Sequence, residues 1–182
     1  MKQKSIICLP LNDTSKRFLL GKKGNQELLA IALNPSTANE VTLDPTSRNI
    51  ETLALNNNCD GWYMVNLYPG RTSKPEFLPK TPNEVLLKEN FSFIENLFVS
   101  NDFNITKVLL CWGNEVDSFR YLKESAKTII AILDKYEVSC YFMKMTRAGN
   151  PYHPAPTPVN RWLGGINNVT LKHYSLLNIK NN

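Results

Sequence analysis

The residues best suited to chemistry are three polar side chains standing where apolar runs stop: Asn34 in Asn34-Pro35-Ser36-Thr37, Asn66 in Val65-Asn66-Leu67-Tyr68-Pro69-Gly70-Arg71-Thr72, and His153 in Asn150-Pro151-Tyr152-His153-Pro154. An asparagine amide donates and accepts at once. Asn34 can therefore orient a water or grip the edge of an amide-like heterocycle, and Asn66 can tell a carbonyl beside an imino hydrogen from the reverse pattern. An imidazole in a proline-fixed turn has a defined direction and can stabilise an oxygen on which negative charge develops, which makes Asn34 and His153 the candidate catalytic pair. Each also has a plainer reading, in which Asn34 and Asn66 brace loops and His153 is structural.

Around this trio the sequence offers binding groups. Tyr152 and Trp162 present faces on which a base can stack, with Tyr152 and Asn66 as the base-binding candidates. Arg71 and Thr72 can hold a phosphate through a directional fork, although a surface salt bridge is an equal use for Arg71. Arg147 and Arg161, with Lys144 and Lys172, form a candidate basic rim for nucleic acid, whereas His173 reads as a surface residue. Ser36 and Thr37 read as caps rather than nucleophiles, since no histidine or lysine is adjacent to activate them and no Gly-x-Ser-x-Gly exists. No pair of strand ends carries the two carboxylates of a glycosidase. Asp44 reads as a helix cap that can also orient Arg48 or a water, and Pro35, Gly113 and Pro154 read as shapers of turns.

Strands and helices must place these groups. Leu28 to Leu33 is apolar on both faces, as a central strand covered by helices should be, and Pro35 ends it by excluding the α conformation from Asn34. Trp62 to Leu67, Lys107 to Trp112 and Val138 to Met143 repeat that pattern. Between them, Asp44-Pro45 starts a helix with the face Ile50, Leu53, Ala54, and Leu87, Phe91, Ile94, Leu97 and Phe98 mark a second. Val116 to Lys135 supplies a long third. The proline-rich segment 74–83 reads as an irregular loop. Ser5 to Leu9 and Arg17 to Leu20 suggest an edge ribbon within 5–20, and 177–182 a flexible tail. Alternation of strand and helix predicts one α/β domain over 1–182, a three-layer α/β/α sandwich around a mainly parallel four-stranded sheet. In such sheets ligands bind beyond the carboxyl ends of the strands, where Asn34, Asn66, Gly113 and His153 all fall.

The 182 residues suffice for a core without staples. A net charge of +5 is compatible with nucleic acid but far below that of an electrostatic tail. Cys8, Cys59, Cys111 and Cys140 are widely separated, with no Cys-x-x-Cys and no grouped histidines, so they read as buried thiols and no metal or other cofactor is expected. No stretch has the length of a membrane span or of a signal peptide, which makes a soluble cytoplasmic protein, monomeric by default, the expectation.

Through Leu33-Asn34-Pro35-Ser36-Thr37-Ala38, Asp44-Pro45-Thr46, Val65-Asn66-Leu67-Tyr68, Arg71-Thr72, Cys111-Trp112-Gly113 and Gly149-Asn150-Pro151-Tyr152-His153-Pro154, the chain resembles the DUF1643 family of bacteria and phages from about Arg17 to Pro154. More distantly it is similar to the uracil-DNA glycosylase superfamily. Asn34-Pro35 resembles the first motif of the mismatch-specific branch, and His153-Pro154-Ala155-Pro156 the late His-Pro-Ser-Pro motif, with Ala155 in place of the serine. That resemblance implies a glycosylase-like fold in which Asn34 orients water, Asn66 reads the base and His153 stabilises the departing base. The function expected is recognition of a nucleic-acid base, as a DNA glycosylase for an altered base. The alternatives are an inactive nucleic-acid or phage-defence binding protein and an enzyme acting on nucleosides or nucleotides.

Overall fold

The computed structural model describes residues 5–175, so the expected tail at 177–182 lies outside the described residues. In chain order the elements are β1 (Ile6–Leu9), β2 (Leu19–Lys22), β3 (Glu27–Ala32), α1 (Pro45–Asn56), β4 (Gly61–Asn66), α2 (Glu84–Val99), β5 (Ile105–Leu110), α3 (Arg120–Lys135), β6 (Cys140–Phe142), α4 (Pro156–Trp162) and β7 (Lys172–Tyr174). Short 3-10 segments lie at Pro75–Phe77, Asn114–Ser118 and Ile166–Asn168.

The strands form one seven-stranded sheet in the order β1-β2-β4-β3-β5-β6-β7. Pairing is parallel from β4 through β3 and β5 to β6, and antiparallel for β1 with β2, β2 with β4, and β6 with β7. The expected four-stranded sheet is thus corrected to the parallel centre of a wider mixed one. The N-terminal ribbon does not stand apart, because β2 pairs through Leu20, Gly21 and Lys22 with Met64, Tyr63 and Trp62. β7 was not anticipated: three residues at a sheet edge, two of them exposed, carry no hydrophobic alternation to read.

The side-chain alternation of β3 and β4 builds two apolar cores, one on each face of the sheet. Leu28, Ala30, Trp62 and Met64 meet Ile50, Leu53 and Ala54 of α1. Leu29, Ile31, Tyr63 and Val65 meet Ile94 and Leu97 of α2 and Leu122, Ile129 and Leu133 of α3. Strands with apolar residues on both sides require such double cover. Truncating a fully buried Ile31 to Ala would cost roughly 2–5 kcal/mol in lost burial and cavity formation.

Helix boundaries follow local chemistry. At α1, Asp44 Oδ1 accepts from the Ser47 N–H at 2.8 Å and Pro45 needs no donor at the first turn. The run Asn56-Asn57-Asn58 ends it, with Asn58 tolerating φ 61°. The helix expected from Val116 instead starts at Arg120. Residues Asn114–Ser118 form a 3-10 segment because Asp117 is drawn to Lys123 Nζ at 2.9 Å and to Asn150 Nδ2 at 2.6 Å. Segment 74–83 is irregular apart from its single 3-10 turn. After the turn at Pro154, Pro156 serves as a first-turn residue of α4, a position that needs no N–H donor.

Candidate functional site

Beyond the carboxyl ends of β3 and β5 lies a cavity of about 610 Å³ whose lining includes Asn34, Ser36, Thr37, Asp44, Thr46, Trp112, Gly113, Asn114 and His153. Parallel strands all end on the same side, so the loops after them converge there. The loops are also sewn together: Leu67 N–H donates to Ala32 O at 2.9 Å, Thr72 N–H to Pro35 O at 2.9 Å, and Gly113 N–H to Pro151 O at 2.9 Å. Trp112, 7% exposed, gives the cavity an aromatic wall.

Asn34 has both amide hydrogens committed, since Nδ2 donates to Pro35 O at 3.1 Å and to Thr72 O at 3.0 Å. Those bonds fix the orientation of the amide and leave Oδ1 as a pure acceptor without a protein donor among the described residues. His153 is fixed in the opposite sense. Its Nδ1 accepts the Ala155 N–H at 3.1 Å, so the neutral ring carries its proton on Nε2 and presents a donor. Burial lowers the His153 pKa to about 4, against a smaller opposing pull from Asp44. The imidazole is therefore neutral at physiological pH.

Asp44 is the site residue whose part was least visible in sequence. It caps α1 with Oδ1, which accepts from Ser47 N at 2.8 Å and Ser47 Oγ at 2.6 Å, and it lines the same cavity as Asn34 and His153. Oδ2 has no hydrogen-bond partner among the described residues. The residues lining one cavity thus carry two acceptors without a hydrogen-bond partner among the described residues, Asn34 Oδ1 and Asp44 Oδ2, and one donor, His153 Nε2–H.

Gly113 holds the His153 turn close. At φ 77° and ψ −177° it occupies a region nearly restricted to glycine, and a Cβ built there would lie 3.1 Å from His153 Cβ. The turn is braced further by Asn114 Oδ1, which accepts from Thr146 Oγ1 at 2.7 Å and from Asn150 Nδ2 at 3.3 Å. Pro35 and Pro154 are buried at their turns, as expected of residues that shape them.

Asn66 does not join this cavity. It is 1% exposed at the end of β4, where Oδ1 accepts from Arg17 at 3.4 Å and its backbone carbonyl accepts from Asn90 Nδ2 at 2.9 Å. Of the expected trio, the structure brings Asn34 and His153 to one cavity, together with Asp44, and leaves Asn66 outside its lining. The reason is a buried cation that sequence reading passed over. Arg17, 1% exposed, also donates to Ala38 O at 3.0 Å and so ties Asn66 to the loop after β3. Burial, followed by repulsion from Arg71, lowers the Arg17 pKa to about 10. An arginine directly before the apolar run Phe18-Leu19-Leu20 was the available signal.

The phosphate fork expected of Arg71 is already occupied. Nε donates to Asp13 O at 3.1 Å, and NH1 donates to Ser36 O at 2.8 Å and to Ala38 O at 3.0 Å, so the guanidinium shapes the loop after β3. Arg71 lines a neighbouring hollow of about 480 Å³ that shares Ser36, Thr37, Thr72 and Ser73 with the main cavity. Thr72 lies on that shared ridge, with Oγ1 donating to Lys74 O at 2.9 Å. Tyr152 packs toward the α1-side core rather than lining the cavity, Arg147 is exposed in the turn before Gly149, and Arg161 is exposed on α4. His173 is exposed on β7.

The cysteines are free and buried. Burial raises the Cys140 pKa to about 12 and pushes Cys111 up as well, which leaves these thiols poor nucleophiles. Among the described residues no group of three His, Cys, Asp or Glu converges to hold a metal ion, and no helix is long and apolar enough to cross a membrane.

Residues 17–155 match the family described as "Protein of unknown function (DUF1643)". No curated protein and no solved structure matches the chain.

Proposed function

We propose, from the premise that this chain belongs to the DUF1643 family and that the family's description assigns no reaction, that it binds a nucleobase in the cavity and hydrolyses the N-glycosidic bond carrying that base. The observation that carries this reading is the fixed sense of the groups in one cavity: acceptors on Asn34 and Asp44, a neutral donor on His153. Hydrolysis needs that combination. A water held by Asn34 Oδ1 and Asp44 attacks the sugar C1′, the C1′–N bond breaks, and its electron pair leaves with the base. The developing negative charge on the base meets His153 Nε2–H, while the proton released by the water passes to Asp44 and then to the departed base. A neutral imidazole can do this work because Nδ1 is held by the Ala155 N–H and the ring's one proton stays on Nε2, where it donates to the developing charge. Removing one donor aimed at such a charge typically costs roughly 100- to 1000-fold in rate.

Trp112 adds an apolar face against which a planar ring can lie. The position of the site at the ends of parallel strands, and the order Asn34-Pro35 then His153-Pro154, agree with the distant likeness to uracil-DNA glycosylases. On this reading the chain acts as a single-domain cytoplasmic monomer with nucleic acid, or a nucleotide, as its partner.

The test is incubation with DNA bearing a panel of altered bases, and with the matching free nucleosides, followed by alkali cleavage and mass measurement of released base. Release that is lost in His153→Ala and in Asp44→Asn is the expected result. DNA retained by all three proteins without release would assign a binding protein instead. Release from nucleosides alone would assign a nucleoside hydrolase.

A further inference from the structure

Every Phe, Tyr and Trp of the described chain is buried or half-buried except Phe77 and Trp162, which are 66% and 54% exposed. Both belong to elements that wall the cavity. Pro75, which opens the 3-10 segment ending at Phe77, lines it, and so do Pro156 and Pro158 of α4. Trp162 follows Pro158 by one helical turn on the same face, a rise of about 6 Å. Phe77 is two residues from Pro75, at most about 7 Å along the chain.

Each exposed ring also carries a cation. Lys74 Nζ sits 5.8 Å from the centroid of Phe77, and the Arg161 guanidinium 4.9 Å from that of Trp162. Lys74 also meets Glu76 at 3.7 Å, whereas Arg161 has no carboxylate partner among the described residues. Neither ring lines the cavity itself, but each stands in an element whose first turn does, and each offers a face that a stacked base would cover.

We infer that these aromatic–cation pairs form a platform for single-stranded nucleic acid, on which bases flanking the one in the cavity stack on Phe77 and Trp162 while Lys74 and Arg161 meet their phosphates. A polyanion bearing planar rings satisfies both halves of each pair: the base covers the ring face and the phosphate takes the charge. A duplex keeps its base faces stacked inside and offers the rings nothing without unstacking, so the single strand is the favoured partner. The inference rests on the base-binding reading of the cavity and extends it, making the substrate a polynucleotide rather than a free nucleoside.

The test titrates the full chain with oligothymidylate, with a duplex of equal length and with thymidine, reading tryptophan quenching and anisotropy of a labelled strand. Trp62 is 1% exposed, whereas Trp112 walls the cavity, so the part of the quenching that is lost in Trp162→Phe reports Trp162 and the part that remains reports Trp112. Phe77→Ala and Trp162→Ala should each weaken oligothymidylate binding about 5- to 150-fold, the range for one lost base-stacking contact, with Trp162→Phe restoring most of the loss. Both are surface changes and should leave Tm unchanged. Affinity should also fall with rising salt. Wild-type affinity in the double alanine variant, equal binding of duplex with no dependence on the rings, or no oligonucleotide binding at all overturns the inference. Asp44→Asn separates it from the hydrolase reading. Ring-dependent binding with no base release by any protein would sink the hydrolase and keep the platform, whereas release from nucleosides with ring-independent binding would do the opposite.

Discussion

Replacing Gly113 by alanine tests whether the close approach of the β5 end to the His153 turn assembles the site. The backbone at φ 77° and ψ −177° lies where a side chain is strained by about 1–3 kcal/mol. The residue cannot relax by sliding, because Cys111 N–H donates to Ile31 O at 3.0 Å on one side and Gly113 N–H to Pro151 O at 2.9 Å on the other. The added methyl would meet His153 Cβ at 3.1 Å, tighter than ordinary van der Waals contact, so the histidine turn must move by a few tenths of an ångström. For a domain of this size each kcal/mol lowers Tm by about 2–4 °C, so a drop of roughly 2–12 °C is expected. Gly149→Ala is the control. It has φ 82° but nothing within 4 Å of the built Cβ, so it incurs backbone strain without touching His153. Thermal denaturation followed by circular dichroism reads the stability of both variants. Long-range ¹⁵N–¹H spectra of the imidazole read its tautomer, which should change for Gly113→Ala alone. If the two variants lose similar stability and His153 keeps the Nε2–H tautomer and unchanged shifts in both, the coupling between Gly113 and His153 is refuted.

The His153 imidazole should titrate near 4 by NMR instead of near 6.5. Because the folded value lies below the unfolded one, its contribution to stability is complete above about pH 6.5 and is lost as pH falls toward 4. The shift sets an upper bound of roughly 3 kcal/mol, reduced by the ring's partial exposure. A measured value near 6.5 would mean the ring is solvated and would remove the neutral donor. Asp44→Asn and Asp44→Ala should separate cap from charge. Asparagine caps as well as aspartate, so Asp44→Asn should hold Tm while depressing His153 further, and Asp44→Ala should cost an additional 0.5–2 kcal/mol or about that in thermal unfolding. Equal Tm in the two variants would show that the cap contributes nothing.

Much of the frame was legible from sequence because it depends on local rules. Runs such as Leu28 to Leu33 and Trp62 to Leu67, apolar at consecutive positions, have no stable place except between two helical layers. Asp44-Pro45 satisfies a helix start whatever surrounds it, and Asn34-Pro35 stops a strand by steric exclusion alone. Strand ends in a parallel sheet share one side, so the meeting of Asn34 with His153 was an expectation of chain order. Tertiary structure decided what chain order could not. Asn66 closes β4 in register with Ala32 and is buried, whereas Asn34 lies two residues beyond the end of β3 and reaches the cavity. Arg17 and Arg71 reach in from distant segments to Ala38 O and hold the loop after β3 in place. Likewise Asp44 is a cap by its neighbours in sequence and a cavity carboxylate only by where α1 docks. Side-chain direction and loop closure depend on contacts between residues far apart in the chain, and no local pattern encodes them.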